Sequence, residues 1–253
     1  QHIKMSQNRG YKQTFKKKGK YIPKKRNYAP QRGQIMTIRQ SAGEKKGVDT
    51  ALTLDPVIST TNTNASQFTL NLIRPGNGSY NRVGRKVFLK SCRLYGEAVY
   101  TYESAAGTGD ISGNILRMVV VWDKQPSGTV PTYDTVFGNK IQDGTEATTF
   151  LDPIKYDNMN RFQVLKDCKI VANPPLHNNQ SGTNDGTELM FHFDEYIQLK
   201  NRETIFSGDS SPCTIADISS GGLYVYFRAK TNTSEVSEFA ISSNSKARLR
   251  YSD

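Results

Sequence analysis

The first 39 residues of this chain contain eight Lys and four Arg and not one acid, which splits it into a part that cannot form a core and a part that must. Of 34 basic and 23 acidic residues in 253, 22 and 23 remain for the other 214 positions, so the body is close to neutral at −1 while the leader carries +12. The leader has few aliphatics, and breakers stand at Gly10, Gly19, Pro23, Pro30 and Gly33. Such a segment buries too little apolar area to offset its ordering entropy and is expected to be disordered on its own. A near-neutral body tethered to a polycation is expected to seek a polyanion.

Rings are interleaved with the charges of this basic N-terminal arm. Arg9, Lys12, Lys16, Lys17, Lys18, Lys20, Lys24, Lys25, Arg26 and Arg32 supply cations, and Tyr11, Phe15, Tyr21 and Tyr28 lie among them. That mixture suits single-stranded nucleic acid. Ammonium and guanidinium groups neutralise phosphates while rings stack on unpaired bases, roughly 1–3 kcal/mol per base. The same basic clusters suit a nuclear import receptor, and the plainer alternative is a nuclear-import tail or a solubilising arm.

From residue 40 onward the pattern has period two. Residues 51–58, 68–73, 86–102, 116–122, 162–171, 189–199, 223–229 and 247–251 are rich in β-branched, aromatic and aliphatic side chains, and Gly, Asn, Ser and Pro clusters separate them. Eight strands with long loops predict an all-β fold, an eight-stranded antiparallel jelly roll of the β-sandwich kind over residues 40–253. The one short helical candidate is 133–137, inside a long connection from Lys124 to Asn160 that is expected to serve contacts with neighbouring copies. Alternation puts Leu223, Val225, Phe227 and Ala229 on a core face and Tyr224, Tyr226, Arg228 and Lys230 on the opposite, cationic one. Lys246, Arg248 and Arg250 form a second basic row, spaced by roughly 6.6 Å. Arg82, Arg85, Lys86 and Lys90, with Arg93, form a third. The three rows predict a positively charged inner surface that adds to the leader's binding of nucleic acid.

Catalytic chemistry finds little support. The three histidines are scattered, and His192 and Asp194, two apart on one strand, lack an obvious third metal ligand. No G-x-S-x-G, H-E-x-x-H or P-loop pattern occurs, so no catalytic residue, metal or cofactor is expected. Cys92, Cys168 and Cys213 are odd in number and far apart, which argues against a disulfide framework or thiolate zinc site. The longest apolar run, 116–122, is too short to cross a bilayer and the N-terminus has no apolar export signal, so a soluble chain with no membrane insertion is expected.

Four motifs in order resemble the geminivirus coat protein and its relatives among small circular, Rep-encoding single-stranded DNA viruses. They are Arg74-Pro75-Gly76-Asn77-Gly78 with Arg82-Val83-Gly84-Arg85-Lys86 and Lys90-Ser91; Val120-Val121-Trp122-Asp123-Lys124-Gln125-Pro126; Asn160-Arg161-Phe162-Gln163-Val164-Leu165; and Ala247-Arg248-Leu249-Arg250-Tyr251-Ser252-Asp253. The cysteine and histidine cluster found near the start of many plant geminivirus coat proteins is missing here, so neither a plant host nor an insect vector is implied. The resemblance implies a capsid protein and a homo-oligomer of sixty copies in an icosahedral T=1 shell. It also implies an arm turned inward against a single-stranded DNA genome, import into the host nucleus for assembly, and residence in the virion. Sixty arms would offer on the order of 700 positive charges to the genome's phosphates. The competing readings are a non-viral, monomeric nucleic-acid-binding β-sandwich protein, and a jelly-roll enzyme or sugar-binding module with an incidental tail.

Overall fold

Strand pairing in the computed structural model, which describes residues 45–57, 66–103, 114–140, 146–172, 187–230 and 236–253, follows the period-two runs closely. In chain order the elements are β1 (Lys46–Ala51), β2 (Leu54–Val57), β3 (Ser66–Thr69), β4 (Lys86–Glu103), β5 (Asn114–Asp123), α1 (Tyr133–Val136), β6 (Asn139–Lys140), β7 (Glu146–Ala147), β8 (Phe162–Ala172), β9 (Thr187–Phe206), β10 (Ile218–Ser220), β11 (Gly222–Lys230), β12 (Val236–Ile241) and β13 (Lys246–Ser252). The leader lies outside the described residues.

Two large antiparallel sheets result, with β6 and β7 pairing separately as a small two-stranded sheet. The first runs β1-β13-β4-β9, with β10 beyond β9 and with β12 and β2 continuing the β13 side along the second half of β4. The second runs β3-β11-β5-β8. Both inner faces share one core: Leu94, Tyr100, Ile197, Leu199, Leu249 and Tyr251 from the first sheet meet Leu116, Met118, Val120, Trp122, Val225 and Phe227 from the second. This is an all-β, sandwich-like molecule in which alternate residues of each strand fill the space between sheets. Cys92 is buried in that core, where loss of hydration pushes its thiol up to about 12.

Eight strands were expected, and ten of four residues or more occur among the described residues. β1 and β12 account for the difference. β1 reads Lys-Gly-Val-Asp-Thr-Ala, too polar to signal a strand, because it is the sheet's outer strand and buries little. β12 shares β4 with β13 instead of extending the sheet. The step between them falls at Gly96, where an added Cβ would overlap the Ser245 hydroxyl. That hydroxyl accepts the Glu97 N–H at 3.0 Å, so the β12–β13 turn sits in a notch of β4.

The long connection 124–161 does not stand free. Its described parts, 124–140 and 146–161, fold over the outer face of the second sheet and build a second core there: Tyr133, Val136 and Phe137 pack on Val119, Val121, Phe162, Tyr224 and Tyr226. Burying each such side chain contributes on the order of 2 kcal/mol. As a result every residue of β11 from Gly222 to Ala229 is buried, although its sequence alternates.

Candidate nucleic-acid interface

Among the described residues no such cover lies on the outer face of the first sheet. β13 alternates there, with Lys246, Arg248 and Arg250 exposed and Ala247, Leu249 and Tyr251 buried, as its spacing predicts. Arg248 lies directly across from Arg93 of β4. Two guanidinium groups facing each other across a ladder repel, and each is held by its own carboxylate. Arg248 Nε and Nη2 donate to the two oxygens of Asp49, both at 2.8 Å. Arg93 makes the same fork to Asp194, at 2.7 and 2.5 Å. The hydrogen bonds from Arg248 hold the Asp49 carboxyl below its ordinary value, and those from Arg93 do the same for Asp194. Lys86 pairs with Glu203.

Arg85, Lys90, Lys246 and Arg250 have no ion pair among the described residues, and Lys230 is exposed at the end of β11. Lys90 is the extra residue of a bulge: Arg250 pairs with Ser91 and Tyr251 with Leu89, so Lys90 is pushed out beside Arg250. Opposite it on β9, Lys200 and Asn201 take left-handed conformations, with φ of 52° and 60°. Exposed rings, Phe88 and Tyr196, share this face with the cations. The arrangement offers phosphates a few unneutralised charges and bases a few ring surfaces.

Two of the sequence-predicted contact residues are interior, and this is a correction. Arg82 is 1% exposed. Its Nε donates to the Ile73 carbonyl at 3.1 Å, Nη1 to Gly84 at 2.9 Å, and Nη2 to Gly208 at 2.6 Å and Asp209 at 3.0 Å, while its plane lies 4.3 Å from the Phe206 ring centroid. Every side of that guanidinium is engaged. It ties the 74–84 turn to the 207–209 loop. Arg228 is likewise buried, 3.6 Å from Asp134 and stacked at 4.4 Å on the Tyr133 ring. With Tyr224 and Tyr226 it belongs to the second core, so the expected cationic face of β11 is not a surface. The covering connection took it.

Residue types alone did not reveal the arginines that fasten this cover. Arg117 interrupts the apolar run of β5, and that interruption was the available signal. A buried Arg on a central strand must have partners. Its Nε and Nη2 fork onto Asp167 at 3.1 and 2.7 Å, while Nη1 reaches the Tyr133 hydroxyl at 2.7 Å and the Phe150 and Asp152 carbonyls at 2.9 and 3.0 Å. Arg161 forks onto the fully buried Asp123 at 2.9 and 2.8 Å. The Arg161 carbonyl accepts the Lys124 N–H at 3.0 Å, so the two ends of the 124–161 connection close on each other.

Among the described residues no group of three or more His, Cys, Asp and Glu is placed to hold a metal. His192 Nδ1 lies 3.5 Å from Glu97, and Asp194 is taken by Arg93. The remaining predicted contact residues, Arg9 to Arg32, lie outside the described residues.

The chain matches the geminivirus coat protein/nuclear export factor BR1 family over residues 4–253. It belongs to that family. This coat protein is therefore structural and not an enzyme, and its place is the virion. The four motifs fall inside the matched span, and they carry structure: Asp123 and Arg161, from the second and third, bind each other. No curated protein matches the chain. Among solved structures, the Gx strain of infectious bursal disease virus matches at 12% identity over 81% of this chain and 33% of its own, with a TM-score of 0.22. The coat protein thus spans about a third of that chain. An unassembled VP1 pentamer of Washington University polyomavirus matches at 13% identity over 82% and 94%, also with a TM-score of 0.22. The fold is defined by the coat protein's own strand order.

Proposed function

We propose that this coat protein is an eight-stranded jelly roll, sixty copies of which close into an icosahedral shell around single-stranded DNA. Its basic leader and the open face of the first sheet hold the DNA, and a host import receptor reads the same leader on the way to the nucleus. The strand order supports the jelly roll. Leaving aside β2, β6, β7, β10 and β12, the chain visits the first sheet at β1, β4, β9 and β13 and the second at β3, β5, β8 and β11, in the orders β1-β13-β4-β9 and β3-β11-β5-β8. Two interleaved Greek keys have this form.

The observation that carries the packaging reading is where positive charge is left over. In the body, carboxylates take Arg82, Arg93, Arg117, Arg161, Arg228 and Arg248. In residues 1–39 there is no acid to take any of the twelve cations. A body neutralised from within packs against copies of itself without mutual repulsion, and the leader keeps its full charge for phosphates.

Size in solution tests the shell: with single-stranded DNA, light scattering is expected to give particles on the order of a megadalton. A 28.3 kDa monomer persisting across salt and nucleic-acid conditions would reject it. Deleting residues 1–33 tests the leader. The body is expected to stay folded and to lose most of its DNA affinity together with most of the salt dependence. Equal affinity of both chains at matched salt would remove the leader from its role.

A further inference from the structure

Among the described residues β1 is the outer strand of the first sheet, and its edge away from β13, which no other described strand pairs, borders a groove of about 550 Å³ lined by Asp49, Thr69, Leu72, Arg74, Tyr80 and Arg248, among others. That volume lies within the range of small-molecule sites. The Gly47 N–H points away from β13, to the Ser79 carbonyl at 3.4 Å. Residues of an antiparallel strand alternate in the side to which they direct both backbone groups, so the N–H and C=O of Asp49 face the same way as those of Gly47, into the groove. The Asp49 carboxylate is covered by Arg248 and does not repel an anion as a bare one would. Arg74 is exposed, with no ion pair among the described residues. Tyr80 is 53% exposed. One edge of the groove therefore offers a free guanidinium, a second an open ring, and its floor a peptide donor and acceptor side by side.

We infer that this groove takes one nucleotide of a single-stranded polynucleotide, with the base stacked on Tyr80, a phosphate on Arg74 and the base edge hydrogen-bonded to the Asp49 backbone. The inference rests on the packaging reading above and gives it an ordered contact outside the leader. In sequence the leader's last cation, Arg39, precedes β1 by seven residues, so a polymer held by the leader has a high effective concentration at this edge. The stacking surface is sequence-tolerant, which fits the packaging of a whole genome.

The test is photocrosslinking of the full chain to an oligodeoxythymidylate carrying 5-iododeoxyuridine, with adducts mapped by mass spectrometry. Adducts are expected on Tyr80 as well as on leader rings. Arg74→Ala is expected to lower the Tyr80 adduct about ten-fold while leaving the leader adducts and the melting temperature unchanged, and Arg74→Lys to restore much of it. A matching oligouridylate that gives the same Tyr80 adduct supports one site for single strands of either sugar. Leader adducts without any on Tyr80 would overturn the groove and leave packaging standing, whereas failure of the oligonucleotide to bind at all would overturn the packaging reading itself. Strong hydrogen-exchange protection of the Asp49 amide in assembled, nucleic-acid-free protein would give this edge to a protein strand and overturn the inference.

Discussion

On β11 every residue from Gly222 to Ala229 is buried, whereas on β13 burial alternates and Lys246, Arg248 and Arg250 face outward. Both strands lie inside their sheets and both carry arginine on the face away from the main core. The difference comes from what lies beyond. Over the second sheet, residues 124–161 place Tyr133, Val136 and Phe137 against Tyr224 and Tyr226. Over the first there is no layer among the described residues, and its arginines meet carboxylates at the surface. Arginine on the covered face is a fastener, and arginine on the open face is a partly neutralised surface charge. The same residue type at the same strand position thus does two jobs, chosen by the dielectric around it.

The comparison breaks most readily at Arg117. Truncation to Ala leaves Asp167, the Tyr133 hydroxyl and the Asp152 carbonyl without the arginine donor, while the Phe150 carbonyl keeps the Tyr133 hydroxyl at 3.1 Å, and is expected to cost about 3–4 kcal/mol in urea unfolding. A loss no larger than that of an exposed arginine would show that the cover is not fastened there. Gly221→Ala probes the hinge between β10 and β11, where φ is +77° and a Cβ would overlap the Glu203 carbonyl and the Trp122 ring. About 2 kcal/mol of destabilisation is expected, read from the same unfolding curves. Tyr226→Phe removes the hydroxyl that donates to the Pro131 carbonyl at 2.9 Å, and about 1 kcal/mol should go with it.

Acid sharpens the contrast further. The Thr214 N–H, aided by the Ser210 and Thr214 hydroxyls and opposed by burial, holds the Asp217 carboxyl down to about 2. A carboxyl depressed in the folded state contributes stability that is complete above the ordinary range near 3.8 and is lost as pH falls toward 2. Thermal midpoints should therefore drop between about pH 4 and pH 2, and Asp217→Asn should flatten that slope. High salt should leave this dependence largely in place, since the groups involved are packed together in one loop. The smallest effect belongs to the open face: Arg248→Gln is expected to leave the unfolding midpoint within error at physiological salt, because exposed pairs are screened. A clear loss there would mean that this face, too, is held by its arginines.

Much of the architecture could be read from residue order. The runs at 86–102, 116–122, 162–171, 189–199, 223–229 and 247–251 all became strands, because inward and outward residues differ in kind wherever one face meets a core. Arg117, a charge within the 116–122 run, was the one signal of the cover that residue order carried. The cover over Tyr224, Tyr226 and Arg228 was not legible. Period two tells which side chains share a face, and says nothing about what rests on that face. A Tyr and Arg row reads the same whether water or a folded connection lies against it. β1 escaped because an edge strand of six residues needs few apolar side chains to hold its place.

Sequence alone divided the chain into a leader with cations and no acids and a body of alternating strands, since both properties belong to neighbours along the chain. Only tertiary structure decided which body cations remain available. Asp49 reaches Arg248 across 199 positions, Asp209 reaches Arg82 across 127, and Asp194 reaches Arg93 across 101. An arginine's charge is free or taken according to the acid that folding brings opposite it, and that distance through space is not written in the distance along the chain.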